Sequence, residues 1–359
     1  MRGGAILLAL LLAGCAPLRS DAYLGPYAAG ERAFHAGRYE EAARAFAAAA
    51  EKAERVKDRD EALFVEARCW ERLERWDEAR AAYRKLIAAS PDGPRTGRAI
   101  FDLAEIEIDH GDAARGWAML QEATTKLPKH GLARPALRRL VAHAEETAGV
   151  TGALAFLDAH QAKLDDTELA EVLGYERGLV LERAGRLADA HEVFVKNAKR
   201  FPYPFGGLTD DALFHAAQID EELRKYEEAI AHLRELLSVR EPASGGASYE
   251  RPRFPEAQLK IALLYRDRLH DRKAARRELE TLYARHTRYI KRDDAVWWSA
   301  LLAREDGDQE GACKMARRLV DEFPDSRYAR CAREICPSAP AGKRECAEYI
   351  RREVRGEKE

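Results

Sequence analysis

A small residue followed four positions later by a bulky one recurs along this chain at a fixed interval of 37 residues. Ala42, Ala79, Gly116, Ala153 and Ala190 are the small members, and Phe46, Tyr83, Leu120, Leu157 and Phe194 are their partners. The interval then slips and returns to 37 while the register continues, at Ala229 with Leu233, Ala275 with Leu279 and Ala312 with Ala316, which makes eight units. A period of this size marks a repeat array. Each unit is too small to bury its own apolar face, and its neighbours complete it.

Other positions keep the same register. Five before the small anchor stands a turn residue, Gly37, Gly111, Gly185 or Gly307, with Gly149 one place late. Glycine there suits the left-handed conformation that ends a helix. Twelve after the anchor stands a helix stop, Pro91, Pro128, Pro202 or Pro324, with Pro242 one place late. Twelve before it lies a second small residue, Gly30, Ala67, Ala104, Gly178, Ala217 or Ala300, where two helices can approach closely. Each unit therefore reads as helix, tight turn, helix, stop. Charged residues make up 34% of the chain, and much of its apolar fraction is alanine. That composition favours helices with narrow apolar stripes over a large two-faced sheet.

This unit resembles the tetratricopeptide repeat. The joins Phe323-Pro324-Asp325-Ser326 and Ser90-Pro91-Asp92-Gly93 are similar to those in envelope repeat proteins of the BamD and CpoB type. The resemblance covers about residues 24–330 and implies an all-α fold, a right-handed superhelical solenoid of about eight hairpins. The expected organisation is a solenoid over 24–325 and a C-terminal capping segment with a charged tail over 326–359. Residues 240–255 (REPASGGASYERPRFP), crowded with Pro, Gly and Ser, read as a long loop between units six and seven.

Residues 1–14 read as a signal peptide: Arg2 supplies the positive start, and AILLALLL is an apolar run too short to span a bilayer as a mature helix. The end of this segment, Leu12-Ala13-Gly14-Cys15, resembles a bacterial lipobox. That resemblance implies cleavage before Cys15 and lipidation of its sulfur, usually with acylation of the freed amine as well. Several acyl chains at about 0.8 kcal/mol per buried methylene make a stable anchor. Residues 15–23 would form a short tether. Ala16 in place of aspartate points, by the same resemblance, to the outer membrane rather than the inner one.

No catalytic signature is present: no G-x-S-x-G, H-E-x-x-H, phosphate loop or dinucleotide glycine pattern occurs. The ten histidines do not recur at metal-ligand spacing, and His35, His110 and His270 fall near hairpin turns, where solvated helix ends are expected. A net charge of −2 offers no field for nucleic acid. No cofactor and no metal is expected. Cys69 reads as a small buried hydrophobe. Cys313, Cys331, Cys336 and Cys346 could hold zinc but lack a C-x-x-C pair, and an exported compartment favours the other reading, two disulfides stapling the last repeat to its cap. Of the three pairings, the expected one joins Cys313 to Cys331 and Cys336 to Cys346.

In tetratricopeptide repeats the first helices line the concave side. The position fifteen before each anchor reads Tyr27, Phe64, Phe101, Arg138, Tyr175, Phe214, Lys260 and Trp297. Six of eight are aromatic. Two readings stand: rings packed on their own hairpins, or an aromatic ladder on which a peptide or partner helix lies. Around it Glu31, Arg68, Glu71, Glu105, Gln218, Glu221, Asp267 and Arg304 would form a polar rim. The candidate groove is therefore Tyr27, Phe64, Arg68, Phe101, Glu105, Tyr175, Phe214, Trp297 and Arg304. The function expected is a non-enzymatic, lipid-anchored scaffold that faces the periplasm and binds other envelope proteins or peptides. The alternatives are a docking factor for peptidoglycan enzymes or a secretion or motility apparatus, and an enzyme with a cryptic site.

Overall fold

The computed structural model describes residues 19–238, 251, 253–341 and 345–357. The expected signal peptide, Cys15 and most of the expected 240–255 loop lie outside the described residues. Those described are helical, with no strand among them. Among the described residues, no helix is long and apolar enough to cross a membrane. Two compact units divide after Ala170.

The first unit holds α1 (Asp21–His35) with α2 (Tyr39–Lys52), α3 (Val56–Arg72) with α4 (Trp76–Ala89), and α5 (Thr96–His110) with α6 (Ala113–Lys126). It ends in α7 (Ala133–Leu164), which breaks at Ala148 and Gly149 and so is itself a hairpin. The second unit holds α8 (Ala170–Arg183), α9 (Leu187–Arg200), α10 (Thr209–Glu222), α11 (Tyr226–Ser238), α12 (Arg253–Asp267), α13 (Arg272–Arg285), α14 (Arg292–Glu305) and α15 (Gln309–Glu322). Every anchor in the 37-residue register is buried, and so is every partner four residues on. At Gly30 and Gly178, the small residue twelve before the anchor has a ring lying against it. A Cβ on Gly30 would sit 2.8 Å from the Phe46 ring, and one on Gly178 2.5 Å from that of Phe194.

The turns have one backbone shape. In five hairpins the amide after the turn residue bonds back into the first helix, from Arg38 to Ala33, Arg75 to Trp70, Arg186 to Leu181, Lys225 to Asp220 and Asp308 to Ala303. This closure needs a left-handed residue. Gly37, Gly185 and Gly307 supply it at φ 74°, 71° and 75°. Glu74, Arg224 and His270 occupy the same position at φ 56°, 61° and 53°, although they carry side chains. Gly111 departs from the expectation, with φ −144° and ψ −132°. There the Glu107 carboxylate accepts from the Asp112 amide at 3.3 Å, and Asp112 caps α6, so the turn closes by side chains. The stops act as read: α4, α6, α9 and α15 each end two residues before Pro91, Pro128, Pro202 and Pro324.

Three expectations are corrected. Helix α1 begins at Asp21 and buries Tyr23, so residues 21–23 belong to the first hairpin and not to a tether. Helix α12 begins at Arg253, which removes the end of the expected 240–255 loop; Pro255 sits in its first turn, where the missing N–H has no partner to lose. The disulfides are Cys313–Cys336 and Cys331–Cys346, not the pairing expected. The reason is the one-turn helix α16 (Ala332–Ile335) between Cys331 and Cys336. Five helical positions turn a side chain through about 140°. Cys336 therefore faces Cys313 on α15, while Cys331 meets the chain returning to Cys346.

The residues after α15 pack onto the last hairpin. Tyr328, Cys331, Ile335, Ala339 and, from α17 (Glu348–Arg355), Ile350 share one core with Trp297, Ala300, Ala312 and Leu319 of the last hairpin. A terminal repeat lacks a neighbour, and these residues cover the face a ninth hairpin would have covered.

Candidate functional site: the first-helix face

The aromatic residues of the ladder are core. Phe64, Phe101, Tyr175, Phe214 and Trp297 are 0–9% exposed, and Tyr27 is half-buried. Their partners lie mainly nineteen residues on, in the same hairpin: Tyr27 on Phe46 at 5.2 Å, Phe64 on Tyr83 at 5.8 Å and Tyr175 on Phe194 at 5.6 Å. Phe101 stacks instead on His130 at 5.0 Å, and Arg253 lies over Phe214 at 4.8 Å. Trp297, the largest ring, faces the unit whose bulky position is only Ala316. It stacks on Tyr328 of the cap at 4.9 Å and donates its indole N–H to Glu353 at 3.3 Å. Tyr27, Phe64 and Tyr175 thus hold the two helices of their hairpins together, and what the surface presents is the polar rim above the rings.

The structure brings two of the predicted groove residues into one place. Arg68 on α3 and Glu105 on α5 line a cleft of about 280 Å³ with Glu71, Trp76, Arg98, Asp102, Ile106, Asp109 and His110. Its floor is an ordered polar network. The buried Tyr83 hydroxyl donates to Glu71 at 2.6 Å, and Arg98 grips both oxygens of Asp102 at 2.8 Å. Arg68 pairs with Glu71 at 3.1 Å. Arg139 of α7 pairs with Glu105 and, at 2.6 Å, with Asp109. The indole of Trp76 stacks on His110 at 3.8 Å, so this turn histidine is held by a ring instead of merely solvated. Burial lifts the Glu71 carboxyl above the usual carboxylate range, and the hydrogen bond from Tyr83 opposes it. Such a cleft offers paired charges of both signs around an apolar wall, which suits selective contact with a polypeptide. Arg304, in the second unit, is exposed on α14.

Cys69 is buried, as read, and burial pushes its thiol up to about 12. One constellation was missed. His191 on α9, Asp220 on α10 and His232 on α11 converge, with ligand-type atoms within 4.8 Å of one another. They are 29 and 12 residues apart, far from any short motif. Only the repeat register, which stacks positions one and three past successive anchors, could have indicated that the two histidines meet.

Residues 27–94 and 175–248 match one family of the tetratricopeptide repeat, and residues 294–326 match another. No curated protein matches the chain. Among solved structures, the chain is similar to the C-terminal part of a TPR repeat-containing protein from Cytophaga hutchinsonii, at 14% identity over 75% of this chain and 98% of that one, with a TM-score of 0.44. It is similar to PilF of Pseudomonas aeruginosa at 15% identity over 64% and 93%, with a TM-score of 0.39. It is also similar to YrrB, described as a TPR protein with an unusual peptide-binding site, at 15% identity over 59% and 97%, with a TM-score of 0.37.

Proposed function

From a chain that carries tetratricopeptide repeats, we propose a protein-binding scaffold of the bacterial envelope, held to the outer membrane through lipid on Cys15 and facing the periplasm. The observation that carries the binding role is the mixed-charge cleft between Arg68 and Glu105. Its side chains are positioned by hydrogen bonds on a rigid aromatic core, as a selective docking face requires. The chemistry there consists of ion pairs and a stacked indole, an arrangement for holding a polypeptide. Two disulfides in the cap suit an oxidising, exported setting. The lipobox-like Leu12-Ala13-Gly14-Cys15 supports the anchor, and the joins similar to those of BamD and CpoB support a role in assembling or organising envelope proteins.

Fractionation tests the anchor. The native chain is expected in the membrane fraction with an acylated N-terminal Cys15, and Cys15→Ala in the soluble periplasmic fraction. A native chain without acyl mass, or a variant that stays with the membrane after high-salt washing, contradicts the anchoring.

A further inference from the structure

We propose that His191, Asp220 and His232 form a binding site for a divalent transition-metal cation, zinc foremost, clasping three consecutive helices of the second unit. The Asp220 side chain is only 1% exposed, and its two oxygens face the two imidazoles: Oδ1 lies 3.1 Å from His191 Nε2, and Oδ2 lies 2.8 Å from His232 Nδ1. The second contact is a hydrogen bond. The first is not. His191 Nε2 and Asp220 Oδ1 are both buried, stand opposite each other, and are misaligned for hydrogen bonding, so neither has a hydrogen-bond partner. A buried carboxylate oxygen and a buried imidazole nitrogen left in this way cost free energy unless something else engages them.

A cation satisfies both at once. Zinc binds imidazole nitrogen and carboxylate oxygen at about 2.0–2.2 Å, so adjacent donors of a tetrahedral site stand about 3.4 Å apart. The two separations seen here are slightly shorter than that, and the widest lies within 4.8 Å, a span that small rotations of two imidazoles close. Two neutral imidazoles and one carboxylate are a borderline donor set that favours zinc and its transition-metal neighbours over calcium or magnesium. Ligation requires the Nδ1–H tautomer of His191 and the Nε2–H tautomer of His232, both neutral. The histidine side chains are 24% and 18% exposed, which leaves an entry path and room for a fourth ligand from solvent. The cation would tie α9 of one hairpin to both helices of the next and so fix the angle between repeats.

The test uses the full chain in detergent, with oxidised disulfides and a tag free of histidine. Cobalt titration followed by visible absorption is expected to show one Co2+ per chain, displaced by one Zn2+. No sulfur-to-cobalt charge-transfer band should appear, because Cys69 is buried and four other cysteines are paired. His191→Gln and His232→Gln should each weaken binding by about tenfold or more. Zinc should also protect His191 and His232 of the unaltered chain from carbethoxylation mapped by mass spectrometry, a readout that needs no variant. Absence of stoichiometric cobalt binding, or binding undiminished in both variants, or no protection at either histidine, would overturn the proposal.

Discussion

Glu74 shows how strongly the hairpin closure governs single residues. Its backbone is left-handed at φ 56°, a conformation that costs a side-chain-bearing residue about 1–2 kcal/mol. It is tolerated because the Arg75 amide then reaches the Trp70 carbonyl at 3.0 Å and closes the turn. Glu74→Gly is therefore expected to raise stability by about 1 kcal/mol, read as a higher urea midpoint; an unchanged or lower midpoint would show that the exposed carboxylate earns back its strain elsewhere. His130 makes a second residue-scale prediction. Burial, reinforced by Arg98, holds its pKa below that of a free histidine. The unfolded chain then takes up the proton first, so stability present above about pH 6.5 is lost as pH falls through the lower folded pKa. His130→Phe keeps a ring on Phe101 and removes that titration. Its stability should fall less than that of the unaltered chain between about pH 7 and pH 5. Equal losses in thermal unfolding at the two pH values would contradict the assignment.

At the scale of elements, the repeat register was legible because one physical demand repeats: a small residue must sit wherever two helices cross. Gly30 against Phe46 and Gly178 against Phe194 are that demand in its plainest form. The ladder position was visible too, but its meaning needed its partner. Tyr27, Phe64 and Tyr175 each have a ring nineteen residues on, and a pair at that spacing marks packing within the hairpin, not a ring offered to a ligand. The disulfide pairing was not legible, because loop content alone ignores the turn that α16 places between Cys331 and Cys336. Peptide mapping of the non-reduced protein should recover Cys313 joined to Cys336 and Cys331 joined to Cys346. Recovery of Cys313 with Cys331 would show that the cap docks differently. The triad of His191, Asp220 and His232 was equally hidden, since its members come from three helices and only packing assembles them.

At the scale of the whole molecule, the proposed function divides labour among lipid, core and surface. Aromatic pairs set hairpin shape; in the proposed function, lipid on Cys15 sets place and the polar residues above those pairs set the partner. In the proposed function this rim, and the cleft of Arg68 and Glu105 in particular, selects a polypeptide. Both side chains are about one-third exposed, so reversing their charge removes pairing without opening the core. The most direct measurement is crosslinking in intact cells, followed by capture of the chain and quantitative mass spectrometry, comparing it with Arg68→Glu together with Glu105→Lys. A reproducible set of envelope proteins is expected on the unaltered chain, falling by about tenfold or more on a variant of unchanged helicity and stability. The same set captured undiminished by the folded variant would contradict the claim.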